Sequence, residues 1–135
     1  MKPVEIKKDV FWVGAVDFGC HNFHGYSIAP RGTTSNAYLV KDEKNVLFDT
    51  VQCHHFEDML TRLAQAVEPE KIDYIVVNPL DLAPAGRLPK LVQLCQPEKI
   101  FCSVIGFTSM ARYFDTPCWS VLAVNTGALL TICQP

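Results

Sequence analysis

The chain has 135 residues, 49% of them hydrophobic and 19% charged, a balance that builds a core of one-domain size and argues against disorder. A net charge of −2 gives no basic footprint, so nucleic acid is excluded as a partner, and no apolar run reaches the roughly 18 residues of a membrane span. The N-terminus, Met1-Lys2-Pro3-Val4-Glu5, lacks the apolar stretch of a signal peptide, so a single domain over residues 1–135, located in the cytoplasm, is expected.

Val4-Glu5-Ile6 and the β-rich run from Val10 to Val16, either side of Lys7-Lys8-Asp9, predict an opening hairpin. Residues 17–35, punctuated by Gly19, Gly25, Pro30 and Gly32, read as loop. Ala37-Tyr38-Leu39-Val40 and Asn45-Val46-Leu47-Phe48-Asp49 flank a solvated, mixed-charge turn at Lys41 to Lys44 and form a second hairpin. Phe56, Met59, Leu60, Leu63 and Val67 recur at helical spacing, and Pro69 closes that helix. The β-branched run Ile72 to Asn78 predicts a buried central strand, and Pro79 and Pro84 make the next segment irregular. Leu88, Leu91, Val92 and Cys95 mark a second helix, Ile100 to Val104 a strand, and Phe107 to Phe114 a third helix. Two last strands, Val121 to Val124 and Leu129 to Ile132, turn at Asn125-Thr126-Gly127. Two hairpins followed by βαβαβ make an α/β fold with a mixed sheet. Phe11, Trp12, Tyr74 and Phe101 are expected in the core. Of the six cysteines, none stands in a C-x-x-C pair, disulfides are not expected, and about four, Cys102 among them, read as core.

Three segments then coincide in order and spacing with one family. They are Trp12-Val13-Gly14-Ala15-Val16-Asp17, then Phe23-His24-Gly25-Tyr26-Ser27 with Arg31-Gly32-Thr33-Thr34-Ser35-Asn36-Ala37-Tyr38-Leu39, and finally Glu70 to Asn78. From about Pro3 to Gly127 the sequence resembles the N-terminal part of the metallo-β-lactamase-like domain of flavodiiron proteins, the A-type flavoproteins. The resemblance implies about half of a four-layer αββα architecture. It also implies a domain that, in the family, carries a di-iron site reducing oxygen or nitric oxide, fed by FMN in a flavodoxin-like domain.

In that family four iron ligands lie in an H-x-E-x-D-H motif directly after the strand ending in Asn. Here the stretch reads Asn78-Pro79-Leu80-Asp81-Leu82-Ala83-Pro84-Ala85-Gly86. Pro79 and Pro84 stand at the histidine positions, Ala83 at the aspartate, and Asp81 at the glutamate. Neither proline nor alanine offers a side-chain donor atom, and metal affinity rests on the number and geometry of donors. The framing Asn78 and Gly86-x-Leu88-Pro89 persist, which describes a loop stripped of ligands rather than a shifted alignment. The family's remaining ligands and its flavin domain are expected to fall outside this chain, so no catalytic residue and no cofactor are expected.

His24 matches a family histidine beside the irons; it reads as a loop histidine held by hydrogen bonds, the alternative being a surviving pocket residue. Cys20, His21, Cys53, His54 and His55 fall in two loops expected on the face of the old metal site, and with His24 and Asp81 they offer ligands for zinc or iron. Against this, neighbours on an extended segment point opposite ways, which suits Cys53-His54-His55 poorly to one ion. Asp49 and Thr50 read as structural, bonding loop amides. The expected function is a non-catalytic interaction or structural module whose bare sheet face is buried in a homodimer. Two alternatives are an oxidoreductase-related subunit working with a flavoprotein partner chain, and a new Cys/His metal site.

Overall fold

The structure is a computed structural model that describes residues 1–23, 25, 27–78, 87–116 and 118–132. Its frame is one seven-stranded sheet. The strands are β1 (Val4–Lys7), β2 (Val10–Trp12), β7 (Tyr38–Val40), β8 (Val46–Phe48), β9 (Tyr74–Val76), β10 (Lys99–Ser103) and β11 (Val121–Val124), and they lie side by side in that order. The two hairpins pair antiparallel, and β8 through β11 run parallel, so the mixed sheet follows the change from hairpins to strand–helix–strand units.

Register sorts the side chains into two faces. Phe11, Leu39, Leu47, Ile75, Ile100 and Val121 pair across the sheet in one row, and Leu39, Leu47, Ile75 and Ile100 are fully buried. The helices α1 (Phe56–Ala66), α2 (Leu88–Cys95) and α3 (Val104–Tyr113) cover this row with Phe56, Met59, Leu63, Leu88, Leu91, Cys95 and Met110. Each such side chain taken from water contributes about 1.5–3 kcal/mol. The adjacent row, Tyr38, Phe48, Val76, Phe101 and Leu122, faces the other way and carries no helix among the described residues. The helices start and stop for local reasons: Ser103 Oγ accepts from Gly106 N at 3.0 Å to cap α3, and Pro89 lies in the first turn of α2.

Several expectations change. The segment 17–35 is not simply loop: β3 (Ala15–Asp17) pairs antiparallel with β6 (Thr33–Ser35), and β4 (Asn22–Phe23) with β5 (Ser27–Ile28). The run Val10 to Val16 breaks at Val13-Gly14, where the chain leaves the main sheet for this ribbon. The third helix begins at Val104, capped by Ser103, three residues earlier than its apolar spacing suggests. Leu129 to Ile132 forms no strand, and Leu129 is 96% exposed.

Phe101 is buried, but Phe11, Trp12 and Tyr74 are only half-buried, because they sit on outer rows or at the sheet margin. Trp12 is instead a docking plate: Arg62 lies 5.2 Å from its ring centroid and donates to Gly14 O at 2.7 Å. The turn at Lys41 to Lys44 is wired into the fold, Lys41 Nζ donating to Ala66 O at 2.9 Å and Lys44 pairing with Asp73 and Glu98. Those two carboxylates raise the Lys44 ammonium above its ordinary range. Of the five described cysteines, Cys95 and Cys102 are core, Cys20 is half-buried, and Cys53 and Cys118 are exposed. Burial, with Glu70 nearby, pushes the Cys95 thiol up to about 12, so it is an inert core thiol.

Candidate functional site

The H-x-E-x-D-H counterpart, with Pro79, Asp81, Ala83 and Pro84, lies outside the described residues, as does His24. Its threshold is described. Asp49, at φ 65°, ends the β8 exit and accepts from the backbone amides of Asn78 and Thr50, the latter at 3.3 Å. It thus bonds loop amides, as its sequence position suggested. Burial raises its carboxyl, with the two amides opposing.

The two Cys/His loops converge, through His54 and His55, which were expected, and Asp17, which was not. β3 ends at Asp17, whose Oδ1 accepts from Gly19 N at 2.9 Å and Cys20 N at 3.0 Å, a side-chain-closed turn. Gly32, at φ +84°, packs so closely that an added Cβ would lie 2.3 Å from Asp17 O. The second strand of the ribbon is therefore pressed onto the carboxylate's own backbone. Across from it, Cys53–His55 is a turn of 3₁₀ helix running into α1. That turn overrides the objection drawn from an extended chain. On a tight helical turn neighbouring side chains do not alternate, and the His54 and His55 rings meet at 4.2 Å between centroids.

Asp17 Oδ2 accepts from His54 Nε2 at 2.8 Å and lies 3.4 Å from His55 Nε2. The hydrogen bond from His54 is the main cause that lowers the Asp17 carboxyl from its ordinary 3.8 to about 2. Partial burial opposes this, and Gly19, His55 and Cys20 assist it. His55 Nδ1 faces Asp58 Oδ2 at 3.4 Å, and His55 Nε2 is closed off from solvent with no hydrogen-bond partner among the described residues. Asp17, His54 and His55 present one donor atom each, all within 4.8 Å of one another, and are the sole such group among the described residues.

Of the other expected residues, the described ones, Cys20, His21 and Cys53, do not join them. His21 Nδ1 contacts Ala29 O at 3.3 Å, Cys20 Sγ points to Asn22 O at 3.7 Å, and Cys53 is exposed. Asp17 itself escaped sequence reasoning. Its one local signal is an Asp before Phe18-Gly19 at a strand end, which describes a turn and says nothing of a residue 37 positions away.

No protein-family model matches the chain. It is 44% identical over 132 residues, 98% of its length, to rubredoxin-oxygen oxidoreductase of Megalodesulfovibrio gigas, covering 33% of that protein. Among solved structures, rubredoxin oxygen:oxidoreductase from Desulfovibrio gigas superposes with a TM-score of 0.89 at 44% identity, over 94% of this chain and 32% of that one. The flavodiiron protein from Giardia intestinalis gives 0.89 at 25% identity over 99% and 32%. A metallo-β-lactamase from Cronobacter sakazakii, 18% identical with a TM-score of 0.62 over 83% and 38%, shares the fold alone. The chain thus spans about a third of the length of the relatives it matches. An alignment that spans almost the whole chain at 44% identity, together with agreement of the mixed sheet and its three helices, makes the chain the counterpart of the N-terminal, metallo-β-lactamase-like part of flavodiiron proteins.

Proposed function

We propose that this chain is a non-catalytic relative of the flavodiiron reductase domain, acting in the cytoplasm as an interaction module that pairs with a second copy of itself. The observation that carries the non-catalytic half is the donor count at the family's ligand motif. The side chains of Pro79, Ala83 and Pro84 supply no donor atoms, leaving Asp81 as the one carboxylate of that stretch. Two close irons need several imidazole and carboxylate donors on one loop, and a single carboxylate leaves them unheld.

The association half rests on the uncovered row of the sheet. Phe48, Val76, Phe101, Leu122 and Val124, with Leu129, Leu130 and Ile132, line an apolar groove of about 430 Å³. Leu122 is 48% and Leu130 37% exposed. Contiguous apolar surface of this kind favours association, and a self-complementary two-fold contact buries the same patch on both copies.

The non-catalytic reading is tested by supplying the chain anaerobically with ferrous iron and a chemical reductant, then admitting oxygen and following its uptake. The expected result is uptake no faster than that of iron and reductant without protein. Sustained turnover proportional to protein concentration would overturn the reading.

A further inference from the structure

We propose that Asp17, His54 and His55 form a mononuclear site for a divalent transition-metal ion, zinc being the ion the donors suit best. The site draws one carboxylate from the β3 turn and two imidazoles from the 3₁₀ turn ahead of α1. None of its ligands falls in the 79–86 segment. Four-coordinate zinc takes imidazole nitrogen and carboxylate oxygen at roughly 2.0–2.2 Å, which sets neighbouring donors roughly 3.3 Å apart. The two measured edges, 2.8 Å from His54 Nε2 and 3.4 Å from His55 Nε2 to Asp17 Oδ2, lie either side of that separation. All three donors fall within 4.8 Å of one another, and the His54 side chain, 58% exposed, is the one with room to turn toward the third edge.

Three further features point to a metal rather than to a histidine–carboxylate pair alone. His55 Nε2 is shut off from solvent, and its 3.4 Å contact with Asp17 Oδ2 does not reach hydrogen-bond geometry, an arrangement that costs free energy unless something else meets that nitrogen. An ion held by Asp17 and His54 meets it. Asp58 Oδ2 faces the opposite ring nitrogen of His55 at 3.4 Å, the carboxylate–histidine–metal arrangement that fixes the tautomer and leaves Nε2 free to ligate. Asp17 is held through its other oxygen by Gly19 N and Cys20 N, so Oδ2 is aimed before any ion arrives. Binding displaces the proton that His54 donates to Asp17. The exposed side, where His54 is 58% accessible, leaves the fourth position to water.

The test uses the full chain, stripped with a chelator and dialysed, then titrated with zinc by calorimetry and with cobalt by visible absorption. The expected result is a single ion per chain and a tetrahedral cobalt spectrum. His55→Ala and the more exposed His54→Ala are each expected to weaken zinc binding at least tenfold. Asp58→Asn, acting through His55, is expected to weaken it by about 10–100-fold. Cys20→Ser with Cys53→Ser is expected to leave binding unchanged. Far-ultraviolet circular dichroism of His54→Ala, whose ring lies at the surface, separates lost ligation from lost folding. Equal zinc affinity in the wild-type chain and the folded His54→Ala variant would overturn the proposal. So would loss of binding in the cysteine pair, or no binding by the wild-type chain.

Discussion

Phe56→Ala is expected to cost about 3–5 kcal/mol, the range for a large aromatic removed from a core. Against the roughly 5–15 kcal/mol that holds a domain folded, that is enough to populate unfolded chain near room temperature. Phe56 is 1% exposed and belongs to the central cluster with Leu39, Leu47, Met59 and Leu63. Its ring also carries the Lys90 ammonium at 5.3 Å, while Lys90 pairs with Glu57, so the void would open beneath a tie between α1 and α2. It is the first residue of α1, directly after the turn of His54 and His55, and a collapse there moves both imidazoles. Urea unfolding followed by fluorescence checks the prediction; a loss below about 1 kcal/mol would mean that the α1 start is not packed as described.

Gly14→Ala is expected to destabilise by about 1–3 kcal/mol or more, the cost of forcing atoms into a filled space. An added Cβ would lie 2.2 Å from Ser35 O and 2.8 Å from Trp12 Nε1. The carbonyl cannot easily retreat, because Ser35 is paired with Ala15 in the ribbon, and Trp12 Nε1 is committed to Asn36 Oδ1 at 3.0 Å. Gly14 O also receives Arg62, so any backbone shift is passed to α1. Gly19→Ala is the control: its Cβ would meet Asp17 Oδ1 at 3.5 Å, an ordinary contact, and should change stability by no more than about 0.5 kcal/mol. Thermal unfolding of the two variants side by side distinguishes a close approach of backbones from a general intolerance of alanine.

The parts of the fold legible in the sequence are those whose side chains repeat. Phe56, Met59, Leu60 and Leu63 announce α1 because one face of a helix must be apolar, and Ile72 to Val77 announces a central strand because β-branched residues crowd there. The strands of the β3–β6 and β4–β5 ribbons are two or three residues long and separated by glycines, too short to show alternation. Leu129 to Ile132 has a strand's composition without a strand's pairing, since apolar surface can also serve a groove. Trp12 reads as core by size, yet its polar edge holds it at the margin with Arg62 and Asn36.

The candidate site was half legible. His54 and His55 are visible as a histidine pair, but whether they converge depends on a 3₁₀ turn that no local residue choice specifies. Asp17 joins them only through the folding of the ribbon onto the start of α1. The expectation of a ligand-poor segment at 79–86, by contrast, rests on sequence alone, because the side chains of proline and alanine carry no donor whatever conformation they take.

The claim that the uncovered sheet row serves association is tested most directly by molar mass in solution, from light scattering on a sizing column, for the wild-type chain and for Leu122→Asp. Leu122 is already 48% exposed, so the substitution leaves the chain folded while placing a charge at the exposed β11 end of the apolar row. The expected result is a wild-type particle of twice the 15.1 kDa chain mass and a variant at the chain mass itself. A wild-type chain that elutes as a monodisperse monomer across the concentration range would contradict the account.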